Sequence, residues 1–138
     1  MPLSENLAGK FLAFQPGDVF GPDAQKAFAR LQERCGPPRA CGRHRVVFES
    51  RHVVFKLPRN HEGILDNERE ARAFRRRHAK SIAMAPCRLV PWADFPVLAM
   101  RKLDLRGSIK DMPSWASWVD CAQLGRDRRG VWLAYDYA

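Results

Sequence analysis

Short runs of β-branched and aromatic residues, each bounded by Gly, Pro, Asp or Ser, predict six β-strands along the chain. The predicted strands are 45–49, 52–57, 87–90, 96–101, 122–125 and 131–135. They form three consecutive pairs, with turns expected at 50–51, 91–94 and 126–130. Because short turns join antiparallel strands, the pattern favours a small, mostly antiparallel sheet and a C-terminal hairpin.

Two segments outside these strands carry apolar residues at helical spacing. The first predicted helix covers 23–35 and ends at the breaker Gly36-Pro37-Pro38. The second covers 64–80, after a predicted loop at 60–63. One face of this second helix combines Ile64, Leu65, Ala71, Phe74 and His78. The opposite face holds four arginines, Arg69, Arg72, Arg75 and Arg76.

A chain of 138 residues accommodates one domain with one modest core. Residues 1–22 contain several Gly and Pro residues and are predicted to form an arm, with one short helix near 7–14. Residues 23–138 are then a single α+β domain, in which the sheet packs against one long helix and an N-terminal helix. The segment 104–118 is expected to be irregular because it is rich in Gly, Pro and Trp.

Composition adds a strong positive charge to this picture. Lys and Arg total 24 and Asp and Glu total 15, so the formal net charge is +9. Such a charge has two possible explanations. It favours association with nucleic acid or another acidic partner, or it only keeps the protein soluble. The four arginines of the predicted helix 64–80 form a basic stripe that either faces phosphates or is simply solvated.

The longest apolar runs are only a few residues, whereas a membrane-spanning helix needs about 20. No membrane span is therefore expected. The first residues also lack the pattern of a secretory signal. We expect reduced thiols and a cytoplasmic location, because the four cysteines are scattered (Cys35, Cys41, Cys87 and Cys121).

The residues that can carry chemistry occur in an informative order. Lys56 ends an apolar strand, Glu70 lies on the following helix, and Met100 lies at the end of a later strand. Gln123 and Asp136 flank the terminal hairpin. This ordered set resembles the small lobe and the metal-binding hairpin of the protein kinase-like superfamily, and the resemblance covers the chain from about residue 42 onward.

The resemblance implies a role for each of these residues. Lys56 would hold the α- and β-phosphates of ATP, and Glu70 would orient its ammonium by ion pairing. Met100 would lead into the hinge beside the adenine. Gln123 stands where the family has a metal-binding Asn, and Asp136 stands at the Asp of Asp-Phe-Gly, so both would bind Mg²⁺ through oxygen.

Each residue also has an ordinary structural interpretation. Lys56 would be an edge-strand lysine whose ammonium reaches water. Glu70 would be the solvated i,i+4 partner of an arginine, and Asp136 a strand-ending turn residue. At about 100° per residue, Glu70 lies closer than Glu68 to the centre of the predicted apolar face, and it is therefore the better partner for Lys56.

The sequence departs from the family at several motifs. The Gly-x-Gly-x-x-Gly phosphate loop is absent, and Gly36 and Gly42 beside Arg43-His44-Arg45 are weak substitutes. No His-Arg-Asp motif occurs, and Trp118 stands at the position of the catalytic Asp. The apparatus that positions a phosphoryl group for transfer is therefore mostly missing.

We therefore predict a catalytically crippled kinase-like module, of the type found among phage and mobile-element accessory proteins. It would act by binding a protein partner, with ATP and Mg²⁺ as structural ligands. Trp115 and Trp118 are expected to be core or lid residues, and the alternative is that they form an exposed contact patch for a partner. One alternative is a nucleic-acid-binding or anti-host-defence protein that uses the arginines of the helix 64–80. Another is a minimal ATP-dependent phosphotransferase that uses four residues, Lys56, Glu70, Gln123 and Asp136.

Overall fold

An antiparallel five-stranded sheet is the centre of the computed structural model, which describes residues 21–76, 83–106, 109–118 and 123–135. The elements are α1 (Pro22–Cys35), β1 (Ala40–Cys41), β2 (Arg45–Glu49), β3 (Val53–Pro58), α2 (His61–Arg76), β4 (Cys87–Trp92), β5 (Phe95–Arg101), two 3₁₀ helices (Ile109–Asp111 and Ser114–Trp118), β6 (Leu124–Arg126) and β7 (Trp132–Ala134). The sheet order is β1-β2-β3-β5-β4, and β6 pairs separately with β7. The fold is α+β, which confirms the predicted class.

Helix α1 covers one face of the sheet. It buries three residues on one side, namely Ala24, Ala27 and Leu31. The Phe28 ring meets Phe48 of β2 edge-on, with centroids 5.4 Å apart. The helix begins at Pro22, where the missing N–H costs nothing, and the Gly36 amide donates to the Gln32 carbonyl at its end.

Helix α2 covers the opposite face of the sheet. Its Ala71 and Phe74 pack against a cluster that includes Leu98 and Met100 of β5. Since successive strand residues point to opposite faces, the neighbouring Val97 instead lies in the core beneath α1. The domain is therefore a helix–sheet–helix sandwich, in which β2, β3 and β5 hold most of the buried strand residues.

The start of α2 differs from the prediction. The helix begins at His61 and not at residue 64, so the predicted loop at 60–63 is wrong. Asn60 caps the helix, because its side-chain oxygen accepts a hydrogen bond from the Gly63 amide at 2.9 Å. Glycine lowers helix propensity, and this obscured the true start in the sequence. The predicted last turn, residues 77–80, lies outside the described residues.

The turn between β4 and β5 is shorter than the predicted turn at 91–94. Trp92 already pairs with Phe95 in the antiparallel ladder, so only two residues remain in the turn. These are Ala93 and Asp94, with φ of 49° and 66°. A type I′ hairpin turn needs positive φ at both central residues, and these two residues supply it. Because the turn is so short, β4 continues through Pro91 and Trp92.

The C-terminal hairpin of β6 and β7 forms as predicted, but its turn covers 127–131 and not 126–130, because Arg126 pairs with Trp132 in the ladder. The Asp127 carboxylate accepts hydrogen bonds from the amides of Arg129 at 2.8 Å and Val131 at 3.0 Å. Backbone hydrogen bonds of 3.0 Å, from the Asp127 amide to the Val131 carbonyl and from the Gly130 amide to the Asp127 carbonyl, also close the turn. The predicted strand residue 122 lies outside the described residues.

The segment before this hairpin is more regular than predicted, since it contains the two 3₁₀ helices. Trp115 is half-buried and packs against a small core of Ala116, Leu124 and Ala134. The proposed contact patch is therefore reduced, because Trp115 contributes to the core beneath the hairpin. The Trp118 side chain lies outside the described residues.

The predicted arm 1–22 lies outside the described residues except at its last two positions, and so does the predicted helix at 7–14. Pro22, which was assigned to the arm, is the first residue of α1. In the described ranges, no helix combines the length and the apolar character needed to cross a membrane.

Candidate functional site

Lys56 of β3 is buried and forms an ion pair with Glu70 of α2. The Lys56 Nζ lies 3.1 Å from Oε2 and 3.4 Å from Oε1 of Glu70. Lys56 is 5% exposed and Glu70 is 0% exposed. The edge-strand interpretation of Lys56 is wrong, because β3 lies between β2 and β5 in the sheet. The interpretation of Glu70 as a solvated partner of an arginine is also wrong, because its side chain is fully buried.

A second cation, Arg45 of β2, contacts the same carboxylate. Its Nη2 donates to Glu70 Oε1 at 2.9 Å, and its Nη1 donates to Asn67 Oδ1 at 3.1 Å. The Asn67 amide in turn donates to the Lys56 backbone carbonyl at 2.9 Å. We call these four buried residues the ion network: Arg45, Lys56, Asn67 and Glu70.

The sequence pattern did not indicate Arg45 or Asn67. A signal was available, since Asn67 lies one helical turn before Glu70 and therefore on the same face of α2. For Arg45 the sequence offered no such signal, because its position depends on the register of β2 against β3. Arg45 pairs with Pro58, and Pro58 shares a sheet face with Lys56 because the two are separated by two positions.

The buried face of α2 is centred on polar and small residues and not on the predicted apolar set. Its buried positions are Gly63, Asn67 and Glu70, at spacings i, i+4 and i+7. Ile64 and Leu65 are only half-buried, on the flanks of this face. The reason is electrostatic, because two cations on the strands need a carboxylate opposite them and an apolar side chain cannot supply one.

The end of the C-terminal hairpin lies beside the ion network. Lys56 Nζ donates a hydrogen bond of 2.5 Å to the carbonyl of Tyr135. The β7 edge of the hairpin is bonded to the segment before β4, where the Ala134 amide donates to the Ala83 carbonyl at 2.8 Å. The residue that directly follows β7 therefore contributes to the polar shell around Lys56.

The other edge of the hairpin is fastened to the chain that follows β5. Asp104 and Arg126 exchange two backbone hydrogen bonds of 2.8 Å. Gly125 permits this approach, because a Cβ atom at that position would lie 2.6 Å from the Cβ of Leu103 and 3.0 Å from the Asp104 carbonyl oxygen. The hairpin is thus fixed between the segments that precede β4 and follow β5.

The remaining predicted site residues are placed as follows. Met100 is buried, and its side chain lies in the apolar cluster with Leu98 and Leu133. Gln123 is half-buried, and its backbone carbonyl accepts a hydrogen bond of 3.1 Å from the amide of Tyr135, whose own carbonyl accepts from Lys56. Asp136 lies outside the described residues. Across the described ranges, no three His, Cys, Asp or Glu side chains are grouped to hold a metal.

The predicted basic stripe of α2 lies in solvent, on the side of the helix away from the ion network. Its four arginines, Arg69, Arg72, Arg75 and Arg76, are all exposed. Arg69 forms an ion pair of 3.4 Å with Asp66, and such an exposed pair contributes about 0–1 kcal/mol. Exposure agrees equally with a phosphate-facing stripe and with a solvated helix face.

The ion network combines two cations with one carboxylate among its described members. Burying charges is costly, and the cost is offset only when close ion pairs and further hydrogen bonds satisfy the groups. Asn67 and the Tyr135 carbonyl supply such bonds here. An ammonium held in this way is an oriented point charge, which suits the binding of a phosphate oxygen.

Asp104, which fastens the hairpin, carries its own charge partner. Its carboxylate accepts hydrogen bonds of 2.9 Å from Nε and Nη2 of Arg106 and from the Arg106 amide. The bonds from the Arg106 side chain, followed by the bond from its amide, lower the pKa of Asp104 from 3.8 to about 2.

We expect this pair to support the fold only while Asp104 is ionised. Because the folded-state pKa lies below the unfolded value, its contribution is complete above pH 3.8 and is lost as the pH falls through about 2. NMR titration of the Asp104 carboxyl carbon should give a midpoint near 2, and Arg106→Ala should raise it. A midpoint at the ordinary value in the unmodified protein would contradict the pairing.

Neither a known protein family, nor a curated protein, nor a solved structure matches this chain. The chemistry of the ion network therefore has to carry the functional interpretation.

Proposed function

We propose that this protein is a non-catalytic, kinase-like module that binds the phosphates of a Mg-nucleotide through Lys56. One observation carries the proposal, namely the buried ion pair of 3.1 Å between Lys56 and Glu70 at the end of the hairpin. The carboxylate orients the ammonium, and the ammonium supplies the positive charge that phosphate needs.

In the proposed complex, a phosphate oxygen replaces the Tyr135 carbonyl as a hydrogen-bond acceptor of Lys56. Glu70 continues to position Lys56, because both of its oxygens already face the ammonium. Arg45 also donates to the Glu70 carboxylate at 2.9 Å, and it thereby helps to hold that carboxylate in place beside Lys56.

Magnesium, when bound, would neutralise and bridge the phosphate oxygens. Gln123 would offer its side-chain oxygen, since it lies across the hairpin from Tyr135. Asp136, which directly follows Tyr135 in the sequence, would offer a carboxylate. One or two protein oxygens and the nucleotide's own oxygens are a usual set for this ion.

The proposed activity is binding, and not phosphoryl transfer, because Trp118 stands where the family has its catalytic carboxylate. Transfer depends on positioning an acceptor and stabilising the moving phosphoryl group. The nucleotide is then a structural ligand, and the functional output is contact with a protein partner.

The test is the thermal shift produced by Mg-ATP in the full chain. At a ligand concentration 100-fold above Kd we expect a stabilisation of about 2.7 kcal/mol, or a rise in Tm of roughly 8 °C. Lys56→Met should abolish this rise. The variant should still fold, because Arg45 remains paired with Glu70 at 2.9 Å.

The matched control is Lys26→Met, which removes one exposed lysine from α1 on the other side of the sheet. It should keep the full shift. Asp136→Asn should reduce the shift with Mg-ATP more than the shift with ATP and a chelator. A shift that survives in Lys56→Met, or no shift at millimolar Mg-ATP, would overturn the proposal. Transfer of radiolabel from ATP would favour the phosphotransferase alternative.

A second candidate function, nucleic-acid binding by α2, rests on one observation. Three of its exposed arginines, Arg69, Arg72 and Arg76, recur at spacings of three and four residues and form a stripe along the helix. Such a stripe would contact the phosphates of a nucleic acid without recognising its base sequence. The oligonucleotide measurement described below tests it.

A further inference from the structure

A cavity of about 690 Å³ lies away from the ion network, between three separate chain segments. These are the turn between β2 and β3, the end of β5 with the residues that follow, and the turn between β6 and β7. Each segment contributes cations, and the five are Arg51, Arg101, Lys102, Arg128 and Arg129. We call this cavity the basic cleft. Its lining also includes two carboxylates, so the described cations exceed the described anions by three (five minus two).

Both carboxylates are already engaged by other groups. Asp104 is held by Arg106, which is not among the described lining residues. Asp127 accepts the turn amides of Arg129 and Val131. The Asp104 charge is therefore paired with Arg106, whereas the Asp127 carboxylate keeps its negative charge and still offsets one of the five cations of the basic cleft.

The cations themselves are only partly paired. Lys102 lies 3.2 Å from the Glu49 carboxylate. In the part of the chain that the structure describes, no carboxylate lies within ion-pair distance of Arg51, Arg101 or Arg129. Like charges that converge on one concave surface focus a positive potential there, and this raises the local concentration of anions.

The three segments are tied together, so the cations are held near one another. The Lys102 amide donates to the His52 carbonyl at 2.9 Å. The Arg128 Nη2 lies 3.0 Å from Nδ1 of His52. Because a guanidinium only donates hydrogen bonds, the His52 ring accepts and thereby orients Arg128 across the cleft.

We propose that the basic cleft binds a compact ligand that carries two or more phosphate groups. Its volume lies in the range of small-ligand sites, about 300–1,000 Å³. Its cations approach from three directions, which suits a compact polyanion better than an extended strand. Apart from His52, no aromatic side chain occurs among the described lining residues, so the cleft offers nucleobases little stacking surface.

The probe is inorganic tripolyphosphate, measured by calorimetric titration of the full chain at an ionic strength of about 0.15 M with a magnesium chelator. We expect the double variant Arg51→Gln/Arg129→Gln to bind about tenfold more weakly or worse. The matched control is Arg72→Gln/Arg75→Gln, which removes the same charge from the exposed face of α2. The control should stay within about twofold of the unmodified protein, because screening limits distant charges.

Three outcomes would overturn the proposal. One is no binding at millimolar tripolyphosphate, and another is an equal loss in both double variants, which would mean a net-charge effect. The third is that a single-stranded oligonucleotide binds more tightly than tripolyphosphate and that only Arg72→Gln/Arg75→Gln weakens its binding. That result would mean that the positive charge of the protein serves nucleic-acid binding by α2. The Arg51→Gln/Arg129→Gln variant should keep the Lys56-dependent thermal shift with Mg-ATP, so a failure here is distinguishable from a failure of the nucleotide proposal.

Discussion

Replacing Glu70 with Gln should destabilise the protein by about 3–5 kcal/mol, because it leaves two buried cations without their described counter-charge. Lys56 and Arg45 lie 3.1 Å and 2.9 Å from the Glu70 oxygens, and all three side chains are buried. The glutamine keeps the shape of the side chain, so the loss reports charge and not packing. Urea unfolding followed by circular dichroism would measure it.

The matched control is Glu68→Gln, which removes the same charge from an exposed position of the same helix. It should change the unfolding free energy by no more than about 0.5 kcal/mol. Combining Glu70→Gln with Lys56→Met should cost less than the sum of the two single changes, since the pair is directly coupled. Additive losses, or equal effects at residues 68 and 70, would contradict the ion network.

Replacing Gly63 with Ala should cost about 3 kcal/mol, because the helix start lies directly against backbone. A Cβ atom there would overlap the carbonyl oxygen of His44 and lie 3.1 Å from the His44 carbonyl carbon and the Pro58 Cα. These atoms cannot rotate away as a side chain would. To relieve the overlap, α2 has to move away from the sheet on which it packs. Lys56 lies in that sheet, so its contact with Glu70 of α2 would also be disturbed.

Gly42→Ala is the control for this change. Its added Cβ would make only an ordinary contact of 3.5 Å with the Arg45 carbonyl oxygen. Thermal or urea unfolding should therefore show a small effect at Gly42 and a large one at Gly63. If Gly63→Ala is instead stabilising, as alanine normally is within a helix, the close approach of α2 to the turn before β2 is wrong.

The two residues at the centre of the candidate site were predicted from the sequence through the resemblance to the kinase-like superfamily. Within that resemblance, the angle of Glu70 to the predicted apolar face favoured it over Glu68 as the partner of Lys56. The strand register that brings Arg45 beside them was not visible, and neither was the hydrogen bond from Asn67 to a strand carbonyl. Such contacts depend on how two elements are placed against each other, which local periodicity does not encode.

The basic cleft shows the same limit more strongly. Arg51, Arg101 and Arg129 lie far apart in the sequence, and nothing in their neighbourhoods relates them to one another. They line one cavity only because β3 pairs with β5 and because the segment after β5 is bonded to β6. Net charge predicts an anionic partner of some kind, and only the topology indicates where such a partner would bind.

The order of strands and helices was determined by the sequence itself, because alternation, helical spacing and turn residues act over a few neighbouring positions. The exact turn at Ala93 and Asp94 and the start of α2 at His61 were decided by tertiary structure. At the turn, the pairing of β4 with β5 sets the conformation, and at the start of α2 the helix packs closely against His44 and Pro58. Burial decided the rest, since Lys56 and Glu70 become a buried pair only after the sheet, α2 and the hairpin enclose them.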